Sequence, residues 1–581
     1  MPEEPERFPE SATAGGLLER LRAASRRFLL ATIVAIGALC GGTAFVFHAL
    51  VRALDSLLVR RALGAAGPLR PILMVATPAL AFFGIALLIR RWAPGAGGAN
   101  LARVRRAYGE DTSVLDGRSV AATFLLTPLS LGAGAPLGPE GPIVVIASGI
   151  SVAAGRVLRL PRKVVRGLIP AGTAAGIAAI FNAPITGVVF ALEEVLGAAE
   201  KGVLGGVIVA AVAAAIVEHL LLGGRPVLPA MPAAWSDVRE LAGFALVGIA
   251  AGALSGAAMR LIERGRAVAR RWIPGSPARA ALGGAAIGML GLLSPAILGV
   301  GYESIGGWLQ GGGTTGTATL AFGAKFAAFV VALSCGVIGG TFAPSLFMGA
   351  AIGSAVGHGM HSLFPAIGAE PRSYALAGMG AFFGGVLRCP ISAVLIVIEV
   401  TGDYGLILPL MLAVALAVTI SRAVSATNMV ERQMAEEGFV ESDGSADPIS
   451  RARVRDVMSP SPVSVAADLD VLGAARAVAG SRHRLYPVVD GAGRLTGLIA
   501  ADEIDRAARE GRPETAVGTL LVPATVVGRE DEPMPALVRR MAASGVSRCP
   551  VVAADGSGRL VGFFSPPDLM RARVRALAEA E

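Results

Sequence analysis

A chain of 581 residues that is 54% hydrophobic and only 16% charged, with a mean hydropathy of +0.64, is too apolar for an ordinary soluble globule and sits among polytopic membrane proteins. Its net charge of +9 does not mark a nucleic-acid binder, because Arg20, Arg22, Arg26, Arg27, Arg103, Arg105 and Arg106 gather at the ends of apolar segments, as positive-inside asymmetry requires. Cys40, Cys335, Cys389 and Cys549 have no CxxC spacing and point to neither a metal site nor a disulfide framework.

Residues 1–27 are polar and of mixed charge, and read as a cytoplasmic arm, not a cleaved signal peptide. Uncharged runs of about 18 or more residues are the length that crosses a bilayer. They occur at Phe28–Phe47, Pro71–Ile89, Ser119–Pro139, Gly167–Leu192, Leu241–Met259, Ala280–Tyr302 and Tyr404–Ser421, with a longer run at Phe326–Ala369 that must hold more than one element. Ten or more intramembrane helices are therefore expected. The 76 glycines spread through these runs permit close helix contact and helices broken at membrane depth, which are tolerated only where they line a cavity or are buried in protein.

Between Ser119 and Gly155 the single charge is Glu140. Its flanks, Gly138-Pro139-Glu140-Gly141-Pro142, predict a tight turn and then a helix start. A helix start offers free N–H groups and the positive end of the dipole, which is an anion site that a carboxylate can fill itself and leave on protonation. A capping role would explain the turn, but no purely structural role needs a carboxylate at this depth.

The chain is duplicated. Ala171–Glu193 (AGTAAGIAAIFNAPITGVVFALE) and Ala377–Glu399 (AGMGAFFGGVLRCPISAVLIVIE) align without gaps at an offset of 206 residues, and Gly340-Thr341-Phe342-Ala343-Pro344 lies upstream of the second copy as Gly138–Pro142 lies upstream of the first. Two halves follow, about 30–220 and 240–430. Interrupted segments at matching places in two repeats point to a midplane substrate site.

These motifs, with Phe181-Asn182-Ala183-Pro184 leading to Glu193-Glu194, resemble those of the CLC family of chloride channels and anion/proton antiporters over about residues 28–438. The resemblance implies an all-α polytopic membrane protein, an inverted internal repeat of broken helices, and a homodimer in the bilayer with one pathway per subunit. It implies transport of a small inorganic anion, chloride first, by exchange for protons, with no enzymatic chemistry and no required cofactor. Glu140 takes the place of the gating glutamate and Glu194 that of the inner proton-transfer glutamate; channel members generally lack an acid at the latter. The anion-binding loops map to Gly98, Ala99 and Asn100, to Gly138, Pro139, Gly141 and Pro142, to Gly340, Thr341, Phe342 and Ala343, and to Val430. Three departures stand out: Pro139 replaces an arginine, Ala99 the usual serine and Val430 the usual tyrosine. Asn100 and Thr341 are the candidate substitute donors. Loss of two hydroxyls predicts weaker chloride binding or looser coupling. The fluoride-exporting branch also departs at the serine and tyrosine positions, but Pro142 and a soluble tail argue against it.

Residues 439–581 have ordinary mixed composition and their own repeat, about 450–510 and 515–581: Tyr486-Pro487-Val488-Val489 with Gly493-Arg494-Leu495 recurs as Cys549-Pro550-Val551-Val552 with Gly558-Arg559-Leu560. This resembles a cytoplasmic α/β pair of CBS domains, which places both termini in the cytoplasm and implies an adenine nucleotide as the candidate ligand. Ser565 and Asp568 stand where such domains meet phosphate and ribose, whereas Ala500 and Glu503 hold those places in the first copy. A CLC-type anion channel without obligatory proton coupling is the near alternative. A CBS-gated divalent-cation transporter is remote, because the membrane part has few acids besides Glu140, Glu193, Glu194 and Glu399.

Overall fold

The computed structural model describes residues 14–578 except 98–99, 110, 198–202, 224–226, 229–234, 236, 366, 368–369, 429, 432–433, 435–451 and 482. The chain divides into two compact units, Met1–Glu437 and Gly438–Glu581.

The first unit is helical and runs the same course twice. The first half follows Ala14–Leu57, Leu69–Trp92, Asn100–Gly109, Gly117–Gly132, Glu140–Val157, Arg162–Phe181, Pro184–Ala191 and Leu204–Leu222. The second follows Glu240–Trp272, Ser276–Leu293, Tyr302–Leu309, Thr315–Cys335, Phe342–Leu363, Pro371–Leu387, Pro390–Thr401 and Ile407–Val424. Nine helices among the described residues are long and apolar enough to cross a membrane. The shorter apolar helix Pro390–Thr401 and the 22-residue helix Phe342–Leu363, neither of them among the nine, bring the described residues to the expected ten or more.

The shorter pieces arise where the sequence breaks its own helices. Gly167–Leu192, uncharged throughout, is not one span: the helix ending at Phe181 stops because Asn182 turns left-handed (φ 51°), and Pro184 starts a new helix after Ala183. At the matching place Arg388 is left-handed (φ 64°) and Pro390 restarts the chain after Cys389. Asparagine is among the few non-glycine residues that enter this region readily, and proline suits a first turn but not a helix interior. Beyond Ala191 the chain widens into one π-helical turn, Leu192–Leu196.

Small residues set the packing. A Cβ added at Gly37 or Gly41 would lie 2.5 or 2.7 Å from the carbonyls of Ala210 and Ala214, and one at Gly248 or Gly252 would lie 2.6 Å from those of Ala413 and Ala417. The first and last helices of each half thus touch backbone to backbone in the same way, as helices in lipid do when association depends on close contact.

The second unit holds two small sheets. Val465–Ala466, Leu485–Val489 and Leu495–Ala500 form one; Ser459–Pro460, Leu560–Phe564, Cys549–Val552 and Gly528–Arg529 form the other, in those orders. The central pairs repeat, Pro487 opposite Leu498 and Pro550 opposite Phe563, each followed by an irregularity at the same place, Val488/Val489 and Val551/Val552. Each sheet has its own apolar core, one around Val488 and Ile499, the other around Val551 and Phe564.

Candidate functional site

The two halves meet at their signature loops. Gly138 N–H donates to the Gly340 carbonyl at 2.9 Å and Gly340 N–H donates back to the Gly138 carbonyl at 2.6 Å. Each glycine lies two residues before a helix start, so the pair sets the N-termini of Glu140–Val157 and Phe342–Leu363 beside each other. Sequence separation hides this bridge, since it joins residues 202 positions apart.

Glu140 is the first residue of its helix and is fully buried. Its Oε1 accepts a hydrogen bond from the Tyr302 hydroxyl at 3.4 Å, and its Oε2 makes none. That second oxygen is pressed onto the bridge: a Cβ on Gly138 would come within 2.0 Å of it and one on Gly340 within 3.1 Å. The carboxyl therefore fills the junction of the two halves, at the two helix starts. Phe342, at the equivalent place in the second half, heads an aromatic cluster with Phe181, Phe190 and Phe383, at 6.2, 5.0 and 4.7 Å between ring centres. One half presents a carboxyl where the other presents a phenyl ring.

Of the remaining loop positions, Pro139 precedes the helix in an αR conformation, while Pro142 and Ala343 are buried. The Thr341 carbonyl accepts from both the backbone and the hydroxyl of Ser345. Gly98 and Ala99 lie outside the described residues, and Asn100 is described only as the start of a helix. Val430 is buried. Tyr302 is the residue that sequence reasoning missed; the available sign was the pair of glycines before it, Gly299 and Gly301, which the structure places at positive φ.

Glu193 and Glu194, adjacent in sequence, do different things. Glu193 accepts from Ile391 N–H (3.0 Å), Ser392 N–H (2.8 Å) and the Ser392 hydroxyl (2.5 Å), at the start of the second half's restarted helix. Glu399 returns the arrangement, accepting from Ile185 N–H (3.0 Å), Thr186 N–H (2.6 Å) and the Thr186 hydroxyl (2.5 Å). Each half thus caps a helix of the other. Glu194 instead lies in the π-helical turn, buried, with its Oε2 2.8 Å from Arg105 Nη2. Arg105 comes from the helix Asn100–Gly109, which carries the end of the first candidate loop.

In the second unit, Asp568 is buried and accepts from the Ser565 N–H (2.8 Å), the Ser565 hydroxyl (2.5 Å), the Ser459 hydroxyl (2.6 Å) and Arg571. Burial works to raise its pKa, but the hydrogen bonds from Ser459, Ser565 and Arg571 together outweigh it and hold the carboxyl below its ordinary value. In the first copy, Glu503 is paired with Arg506 at 3.0 Å.

The "Voltage gated chloride channel" family matches residues 79–422, and the CBS domain family matches residues 454–510 and 522–575. The chain is similar to a ClcB-like chloride channel protein of Ralstonia nicotianae, with 35% identity over 59% of this chain and 81% of the relative. It is similar to the H(+)/Cl(-) exchange transporter ClcA of Salmonella paratyphi A, with 31% identity over 59% of this chain and 74% of the relative. Among solved structures it resembles a slow cyanobacterial Cl-/H+ antiporter, with 25% identity and a TM-score of 0.64, over 70% of this chain and 98% of the other.

Proposed function

The chain belongs to the voltage-gated chloride channel family, and from that premise we propose that it exchanges a small inorganic anion, chloride first, for protons across a membrane. One observation carries the reading: a buried carboxyl, with one of its oxygens making no hydrogen bond, fills the junction of two helix starts contributed by the two halves. Desolvation penalises a charge there unless donors satisfy it, so the carboxylate and an entering anion compete for the same N-terminal dipoles. Protonation removes the carboxyl's claim on that position, the side chain swings out, and the anion takes it. Each cycle then moves a proton on Glu140 and an anion through the space it leaves. The names of the relatives, one an H(+)/Cl(-) exchanger, support the same reading.

Glu194 is the inner proton acceptor in this scheme. Its buried ion pair with Arg105 fixes its position in a region where an unpaired acid would be costly. Proton loading at Glu194 must loosen that pair. Two copies associate in the bilayer, each with its own pathway, and both termini face the cytoplasm. Ile208, Val212, Ile216 and Leu220 are exposed at four-residue spacing on Leu204–Leu222 and supply an apolar face for lipid or for the second copy. The CBS pair regulates transport, with an adenine nucleotide as the candidate ligand; to reach Asp568 its ribose must displace Ser459 and Arg571.

The test is flux in liposomes with chloride, nitrate, bromide and fluoride while pH is recorded. The wild type is expected to move protons uphill when driven by an anion gradient. Glu140→Gln is expected to abolish both proton movement and the pH dependence of anion flux, and Glu194→Ala to abolish proton movement alone. Anion flux without any proton movement in the wild type identifies a channel instead. A lack of any melting shift of residues 445–581 with ATP, ADP or AMP removes the nucleotide.

A further inference from the structure

We propose that Tyr302 supplies the side-chain hydroxyl of the anion pathway in this protein, donating to the anion once Glu140 has left. The inference rests on the transport reading above and adds a ligand that the loop motifs do not contain. Both usual hydroxyl positions are apolar here, as Ala99 and Val430. Tyr302 comes from a different element, the start of the short helix Tyr302–Leu309, and its hydroxyl lies 3.4 Å from Glu140 Oε1. That separation is long for an O–H···O bond, which prefers about 2.5–3.0 Å. A halide is larger than a carboxylate oxygen, so the spacing suits the anion better than it suits the gate.

The hydroxyl is held in place by its own loop. Lys325, fully buried on the helix Thr315–Cys335, donates to the carbonyls of Ile297 (2.8 Å), Gly299 (2.6 Å) and Val300 (3.5 Å). Its ammonium also sits 4.9 Å from the centre of the Phe347 ring. The same ring fills the space beside Gly301, where φ is +87° and a Cβ would lie 2.6 Å from a ring carbon. A buried ammonium spent on three carbonyls is a strong clamp, and it fixes the two turns that lead into Tyr302. Lys325 is thus a positioning residue for the hydroxyl.

The experiment is calorimetric titration of chloride into full-length protein in detergent, in the Glu140→Gln background so that the gate does not compete. Adding Tyr302→Phe, which keeps the ring and removes the donor, is expected to raise the chloride Kd at least about ten-fold, as loss of one hydrogen bond to a charged partner does. In flux assays Tyr302→Phe is expected to raise the chloride KM with the maximal rate within about two-fold, the signature of a lost binding contact. Lys325→Met is expected to raise the Kd as well, and to add little in the Tyr302→Phe background. An unchanged Kd in Tyr302→Phe, with gel-filtration elution like the parent, overturns the inference, as does absence of chloride binding in the Glu140→Gln parent. Equal effects of Lys325→Met with and without the Tyr302 hydroxyl overturn the positioning role. Wild-type exchange flux in either case leaves the transport reading standing.

Discussion

Replacing Glu399 by alanine removes three acceptor contacts at once, from Ile185 N–H, Thr186 N–H and the Thr186 hydroxyl. A hydrogen bond to a charged partner contributes about 1.5–3 kcal/mol, so a simple sum over three sets an upper limit of about 4.5–9 kcal/mol. The effective figure is smaller, because losing a helix cap alone costs about 1–2 kcal/mol and the freed groups share whatever donors and acceptors remain. Thr186 is fully buried, so its N–H and hydroxyl do not simply return to water. About 3 kcal/mol is the resulting expectation. The assay is the rate of thermal unfolding in mild detergent, where a loss of that size felt only in the native state accelerates unfolding by about 150-fold. Glu399→Gln keeps one carbonyl oxygen and is expected to lose about half as much. Glu193→Ala should match Glu399→Ala within about 1 kcal/mol, since Ile391 and Ser392 repeat the geometry at 3.0, 2.8 and 2.5 Å. Unfolding rates within two-fold of wild type for both alanine variants would refute the claim that these carboxylates lock the halves together.

Gly138→Ala places a methyl group 2.0 Å from Glu140 Oε2, far inside contact distance, so the carboxyl must leave the junction; anion flux in liposomes is expected to persist at alkaline pH, and a wild-type pH profile counts against the gate's placement. Asn182 sits at φ 51°, where alanine loses about 1–2 kcal/mol and glycine loses nothing from the backbone; melting should fall for Asn182→Ala and hold for Asn182→Gly. Asp568 has its folded pKa depressed by Ser459, Ser565 and Arg571. The stability it supplies is therefore complete above the unfolded carboxylate value of about 3.9 and is lost as pH falls through the lower folded value. The isolated segment 445–581 should unfold in acid more readily as wild type approaches that window, and Asp568→Asn should flatten the dependence; identical acid profiles would dismiss the network.

Much of this protein was already legible in the order of its residues. Apolar runs of membrane length, the ungapped duplication at Pro184/Pro390 and Glu193/Glu399, and an isolated Glu140 between glycine and proline are local or self-similar patterns, which a linear reading captures. The breaks at Asn182 and Arg388 were harder to place, because an uncharged run such as Gly167–Leu192 has the hydropathy of one span, and only the left-handed residue before each Ala-Pro or Cys-Pro start divides it. What tertiary structure alone decided is which groups meet: Gly138 with Gly340, Glu193 with Ser392, Glu399 with Thr186, Arg105 with Glu194, and Tyr302 with Glu140. Those partners stand between 89 and 213 residues apart. No periodicity or propensity relates residues at such distances; folding brings them together because each buried carboxylate and backbone N–H at membrane depth must find a partner that water would otherwise supply.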